Sequence, residues 1–438
     1  VTDAEGNTAT HTAVGMVQVG EAINCQASGV PGESLACSGT NGFGVTHDLD
    51  LETNTYTSMA WINPTGIQPA YTGIIISEEP GGGLNFLNNN ELGYHWPGGD
   101  FNWSSGLNIP EDEWSHVAMS VGPDGVRLYL NGIEKHHSFS AGLSEQGKQF
   151  LGSYKGFNYL NMLGSIDEVK IWNRTLTIEE IREQRHLTIP QETIESDAHL
   201  VAYYQFNEDI DYLFNKSFIG EHGEFNGVAT LTASQAVVGS GVLDRIAVNG
   251  EGSYSLAQVG GSIDVPSGAS SPGGDVVINR MDPPPFGPAE DALPIGYWVV
   301  DIYGSAFDVE TSWTMVAAEG SLAPWAQEPG NLTVVTRNAN GTGDWSEPCS
   351  LTTIDDESAL YSGSCGPVTS AQYGMTSELC ADENIDCLMM GCLDPAACNY
   401  NSSANANDDC TYASGCDTCS GETDGTGTVN SAAELTLE

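Results

Sequence analysis

The sequence predicts an all-β chain, with two β-sandwich domains in series and a small disulfide-rich module after them. Three observations predict it. The run Ile166–Ile171 reads with the period of two of a half-buried strand, and Tyr56–Pro64 and Trp114–Val121 are short apolar-rich runs that read as strands. The 52 Gly and 20 Pro favour many turns over long helices. At 438 residues the chain exceeds one ordinary core, so roughly two to four domains are expected.

The elements follow in order. Val1–Val19 holds a turn at Glu5-Gly6-Asn7 and then an alternating strand. Tyr56–Pro64 is an apolar-rich strand stopped by proline. Asp124-Gly125 leads into Val126–Leu130, and Asn131-Gly132 turns the chain into Ile133–Lys135. Asn-Gly between alternating runs is the strongest short hairpin signal, because both turn positions need positive φ. In the stretch Leu163–His186, a strand is followed by a turn at Asn173-Arg174, and Thr177 stands three residues before Glu180. That spacing is a capping box and predicts a short helix. Strands over Leu243–Arg245, Gly273–Arg280 and Gly296–Gly304, interrupted by the loop at Pro283–Pro285, predict a second β domain over residues 239–378. A Cys- and Asp-rich module follows at 380–422, then a linker at 423–438 rich in Gly, Thr, Ser and Ala.

Net charge is −47, with no Lys or Arg before Arg127 or after Arg337. Such a surface repels nucleic acid and anionic membranes, which find no cations to displace their counterions. It suits a salty medium or divalent cations, and it keeps a secreted protein soluble. Nine of the eleven Cys lie between Cys349 and Cys419, and dense Cys among acidic loops indicates an oxidising, extracellular setting. The odd total leaves one thiol free or paired outside the chain. No signal peptide, transmembrane run or sorting tail is recognisable, which implies a mature segment of a longer protein.

The order of the Trp61–Pro64 strand, the Trp114–Ala118 strand, the Leu128–Gly132 hairpin and the Gly164–Arg174 strand resembles LamG-like jelly rolls, the concanavalin A-like lectin/glucanase sandwich, of secreted bacterial proteins. Leu200–Glu208, with Asn215–Ser217 and Glu221–Gly227, resembles the Tyr-Tyr-x-Phe-Asn segment that accompanies this sandwich, which extends the first domain over residues 20–235. Residues 1–19 resemble the last hairpin of a preceding Ig-like domain, or are an ordinary terminal strand. The second domain resembles a sandwich module of type IX-secreted Bacteroidota proteins. Gly391–Asn401 with Asn407–Tyr412 resembles the short Cys/Asp-rich repeats of that group, although Asp409 abuts Cys410 where a Gly-Ser usually intervenes.

These resemblances imply a non-catalytic segment of a large secreted, cell-surface adhesin or extracellular appendage, with attachment or structural spacing as its work. The alternatives are a carbohydrate-binding ancillary region of a secreted polysaccharide-degrading enzyme, and a filament subunit. The expected partners are a cell-surface glycan or protein ligand and, within an appendage, further copies of the chain. Nucleic acid and direct membrane insertion are not expected.

Glucanases of this architecture carry paired carboxylates in a Glu-x-Asp-x-x-Glu pattern, which holds acid and nucleophile about 5 Å apart. No such pattern occurs, and the adjacent Asp167 and Glu168 should point to opposite faces of a strand. The resemblance also implies a structural calcium at Asp167, whose alternative is hydrogen bonding to neighbouring backbone. Asp394, Asn399, Asn401, Asn407, Asp408 and Asp409 form an oxygen-rich loop framed by Cys that is a second candidate for calcium, a cation that takes six to eight hard oxygen ligands. Cys25 with Cys37 and Cys349 with Cys365 are the preferred disulfides. Cys416 and Cys419 lack the context of a redox or zinc site. For sugar stacking, Trp103 is the better exposed candidate and Trp96 the more buried.

Overall fold

The computed structural model describes residues 32–281 apart from 79, 158 and 209, and, beyond residue 296, the strands of a second unit with short pieces between 390 and 430. The expected hairpin at 1–19 and Cys25 lie outside the described residues. The chain divides into two compact units between Ser240 and Gly241.

The first unit is a two-layer sandwich built from β1 (Glu33–Ser38), β2 (Phe43–Thr53), β3 (Tyr56–Pro64), β4 (Gly73–Ser77), β5 (Gly83–Phe86), β6 (Leu92–His95), β7 (Ser115–Gly122), β8 (Gly125–Leu130), β9 (Ile133–Ser138), β10 (Ser144–Leu151), β11 (Leu163–Trp172), β12 (Leu200–Tyr204), β13 (Glu224–Asn226) and β14 (Thr230–Ala233). One sheet has the order β14-β1-β11-β3-β7-β8-β9, with β12 also paired to β11; the other runs β13-β2-β10-β4-β5-β6. Every ladder in the two sheets is antiparallel. Leu35, Ile62, Ile75, Leu84, Phe86, Leu92, Val117, Leu151, Ile166 and Val169 fill the space between them.

The local signals act as their chemistry requires. Asn131 and Gly132 have φ of 49° and 77°, the positive pair that a tight right-twisting hairpin between β8 and β9 needs. The Thr177 hydroxyl accepts the Glu180 amide, and the Glu180 carboxylate accepts the Thr177 amide, which starts α1 (Ile178–Glu183). A second short helix, α2 (Gln191–Ser196), follows. Both lie over the outer face of the β11 sheet, where Ile181, Ile189 and Ile194 bury against Met59, Tyr129, Trp172 and Tyr203. That face is therefore a second, smaller core.

The second unit is also a sandwich. β15 (Gly241–Val248), β18 (Gly274–Met281), β19 (Tyr297–Tyr303), β21 (Leu332–Asn338), β22 (Ser346–Ser350) and β25 (Ala371–Ser377) form one sheet. β16 (Gly252–Ser255), β17 (Gly261–Val265), β20 (Ser312–Ala318), β23 (Thr353–Asp355) and β24 (Leu360–Cys365) form the other. Trp298 meets Trp313 edge to face at 6.1 Å, and Trp313 meets Tyr373 at 5.2 Å, so aromatic rings of both sheets interlock at the centre. Cys349 and Cys365 stand on strands of opposite sheets; their side chains lie outside the description. Farther on, Thr418–Cys419 pairs with Val429–Asn430, so part of the expected linker is a short strand.

Replacing the cap tests the latch helix. Thr177→Ala should destabilise the first unit by about 1 kcal/mol in urea unfolding, and Thr177→Ser should restore most of it. An unchanged midpoint for the alanine variant would show that packing alone holds α1.

Candidate functional site

Two groups of residues in the first unit have the chemistry of a site: the carboxylates of β11 and an aromatic row on the other sheet.

Strand β11 does not alternate evenly. Asp167 pairs with Trp61 and Lys170 with Met59, so Glu168 and Val169 together oppose a single residue, Ala60. This is a β-bulge, and Glu168 takes it up with φ of 50°. Ile166 and Val169 both enter the core between the sheets. Asp167, Glu168 and Lys170 all engage the outer side of the sheet. The expectation that the two carboxyls face opposite ways is thereby corrected, because it assumed an unbroken period of two.

All three side chains are buried. Asp167 accepts the Ser234 hydroxyl at 2.5 Å and the Glu168 amide at 2.7 Å. Glu168 accepts the Tyr203 hydroxyl at 2.7 Å and the Gln205 amide at 2.8 Å. The Lys170 ammonium lies 3.4 Å from Glu168 and donates to the carbonyls of Gln184 at 3.2 Å and Leu187 at 2.8 Å, with the Tyr203 ring at 5.5 Å. Desolvation, and then the Glu168 charge, raise the Asp167 carboxyl well above the ordinary aspartate range. Burial lowers Lys170, against the pull of Glu168.

This environment does not fit calcium. Both Asp167 oxygens already receive hydrogen bonds, a buried ammonium stands nearby, and burial favours the neutral acid. Among the described residues no cluster of three His, Cys, Asp or Glu is arranged to hold a metal. Of the tail ligands expected from sequence, Asp394, Asn399, Asn401, Asp408 and Asp409 lie outside the described residues, as does the side chain of Asn407.

Of the disulfide expected between Cys25 and Cys37, Cys25 lies outside the described residues and Cys37 is seen alone. It is a free, buried thiol on β1, turned into the core and donating weakly to the Leu151 carbonyl at 3.8 Å; burial pushes its pKa up to about 12. Cys398, in the Cys-rich module, is disulfide-bonded.

Trp96 is fully buried and donates its indole N–H to the Gly142 carbonyl. Trp103 is half-buried and packs on the core, with one ring face stacked 4.7 Å from His137 of β9 and its edge against Tyr94 of β6. It thus closes the gap between the edges of the two sheets. A free stacking face lies elsewhere.

That face is a row of rings missed in the sequence. On β6, Leu92 and Tyr94 enter the core and His95 points outward. Phe101 meets His95 at 4.1 Å, His95 stacks on Tyr154 at 6.2 Å, Tyr154 meets Phe157 at 6.2 Å, and Phe157 stacks on Tyr159 at 5.5 Å. The Tyr154 hydroxyl lies 2.9 Å from His95 Nδ1, and Tyr71 donates to Asn102 beside Phe101. Tyr71 and Phe157 are 40% exposed, Phe101 43% and Tyr159 63%, so apolar ring faces meet solvent in a connected set. The loop carrying Phe157 and Tyr159 lies on Phe150 through Gly156, whose φ of 73° and close approach to the ring leave no room for a side chain. The available signal was the run Tyr154-Lys155-Gly156-Phe157-Asn158-Tyr159, too aromatic for an ordinary turn.

Residues 38–182 match the family model Laminin_G_3, described as the concanavalin A-like lectin/glucanases superfamily. Over these residues the first unit is similar to a concanavalin A-like domain. Among solved structures, the chain resembles a Bacteroides ovatus protein assigned to carbohydrate binding (16% identity, TM-score 0.37), covering 47% of this chain and 61% of that one. The chain thus spans less than two thirds of that relative. Domain 4 of an extracellular arabinanase from Geobacillus stearothermophilus, in complex with arabinotriose, matches at 20% identity and TM-score 0.27 over 34% of this chain and 86% of that one. A heptameric SAP-like pentraxin from Limulus polyphemus matches at 16% identity and TM-score 0.25 over 35% and 81%. None of the curated proteins compared matches the chain. Among the described residues, no helix is long and apolar enough to cross a membrane.

The charged latch makes a pH-dependent prediction. A carboxyl whose folded pKa is raised costs stability as pH climbs from the unfolded value, about 3.9, through the folded one. Asp167→Asn keeps an acceptor for the Glu168 amide without that cost. It should raise the melting point at pH 8 by about 2–4 °C, the size of roughly 1 kcal/mol in such a domain, with the gain vanishing near pH 4. A loss at pH 8 would mean that the charged form is needed, as a bound cation would require.

Proposed function

We propose that the first unit is a non-catalytic glycan-binding module, and that the chain is an adhesive segment of a secreted cell-surface protein. The observation that carries the reading is the connected row Phe101–His95–Tyr154–Phe157–Tyr159 on a sandwich of the lectin/glucanase type. Sugars present flat C–H faces ringed by hydroxyls, and exposed aromatic rings with polar neighbours match both features. The polar neighbours here are Asn102, the Tyr71 hydroxyl and the Tyr154 hydroxyl.

The non-catalytic part of the reading is supported by where the carboxylates lie. Asp167 and Glu168 are sealed under Tyr203, Gln205 and Ser234, so neither reaches a sugar in solvent. In the ancillary-region version the same module delivers an enzyme elsewhere on the polypeptide to its polysaccharide. A catalytic domain in the full-length protein would favour that version, and flanking Ig-like or Cys-rich repeats would favour the adhesin. Calcium in the Cys-rich tail remains part of the proposal, and a melt with and without chelator tests it.

Affinity electrophoresis or calorimetry against a panel of polysaccharides tests the binding itself. Phe157→Ala/Tyr159→Ala should weaken binding at least about tenfold, since each stacked ring is worth about 0.5–1.5 kcal/mol beyond its buried area. The melting temperature should stay near that of the parent, because neither ring belongs to the buried core between the sheets. Undiminished binding by the double variant would remove the row from the site.

A further inference from the structure

We infer that this face selects uncharged glycans and rejects anionic ones; the inference rests on the glycan reading above. The stacking row and an acidic groove occupy the same outward face of the β2–β10–β4–β5–β6 sheet. On β2, Leu49 and Leu51 turn toward the core, and the alternating Asp48, Asp50 and Glu52 turn outward. On β10, Ser144 and Gln146 are buried and Glu145 turns outward, opposite Glu52. With Glu78, just beyond β4, these carboxylates line an open groove.

Two of the described cations stand near these carboxylates and rings. Lys148 is exposed there but stands between Asp48, its register partner, and Glu78, which accepts its backbone amide. Lys155 is buried, with its ammonium over the Tyr154 ring at 5.5 Å. Asp100 is exposed next to Phe101. The whole chain adds to this field, with 59 acidic residues against 12 Lys and Arg.

An incoming uronate or sulfate ester therefore meets like charge from the groove and from Asp100, and Coulomb repulsion opposes its approach at low ionic strength. A neutral chain meets none. Its C–H faces stack on the rings unopposed. The carboxylates act here through their field; the groove by itself is assigned no ligand.

The test compares matched pairs: glucan, galactan, mannan and xylan, each unsubstituted and lightly sulfated, against the whole chain at about 20 mM and about 500 mM salt, across which screening becomes strong. The expected result is binding of at least one unsubstituted backbone, at least tenfold weaker binding of its sulfated form at low salt, and a narrower gap at high salt. The variant Asp50→Asn/Glu52→Gln/Glu145→Gln should narrow the gap at low salt without changing affinity for the neutral form more than a few-fold. Equal or tighter binding of the sulfated form overturns the inference and leaves the glycan reading intact. A gap that neither salt nor the triple variant narrows also overturns it, because sulfate is then excluded by size. Failure of every backbone to bind overturns both.

Discussion

The buried ammonium of Lys170 is the interaction on which the outer layer of the first unit depends. It pairs with Glu168 and donates to the carbonyls of Gln184, the C-cap of α1, and of Leu187 three residues on. The Gln184 carbonyl has no following helical turn to bond to, and a cation is the favoured group at a helix C-terminus. The Trp61 indole captures the intervening Arg185 carbonyl at 2.7 Å, so consecutive turns of backbone are held by donors from the sheet. A buried charge left unpaired is strongly destabilising, which ties the bulge, the helix and the Tyr203–Gln205 segment into one unit.

Most of the fold was legible where local chemistry decides the outcome. Asn131-Gly132 had to turn, Thr177 and Glu180 had to cap, and Tyr56–Pro64 had to be a strand, because each needs only its near neighbours. What was not legible depended on distant ones. A bulge inserts one residue without changing the hydrophobic pattern visibly, and at Glu168 it reversed the facing of a carboxyl. Cys37 had a plausible partner in sequence spacing, but β1 turns its thiol into the core. Trp103 looked exposed because it sits in a Gly-rich loop; its stacking partner, His137, is on a strand that follows later in the chain. The aromatic row joins two loops more than fifty residues apart, so neither loop alone announced it.

The two faces of the sandwich therefore differ in what they do. The outer face of the β11 sheet is covered by helices and locked by buried charge, and the groups that look most chemical are structural there. The outer face of the β10 sheet keeps its rings and carboxylates in solvent. Acidic composition favours solubility and, under the proposed glycan reading, has a second consequence on that face, where it opposes the approach of anionic sugars. The second unit is also a sandwich, with an interlocked Trp298–Trp313–Tyr373 centre.

The central claim is that sugar is held by the aromatic row while the β11 carboxylates serve the fold. A crystal structure of the chain with a bound neutral oligosaccharide tests it most directly. The account predicts sugar rings stacked on Phe101, Phe157 or Tyr159, with Asp167 and Glu168 still sealed beneath Tyr203 and Ser234. An oligosaccharide ordered against an opened Asp167–Glu168 pair, with the row unoccupied, would contradict it.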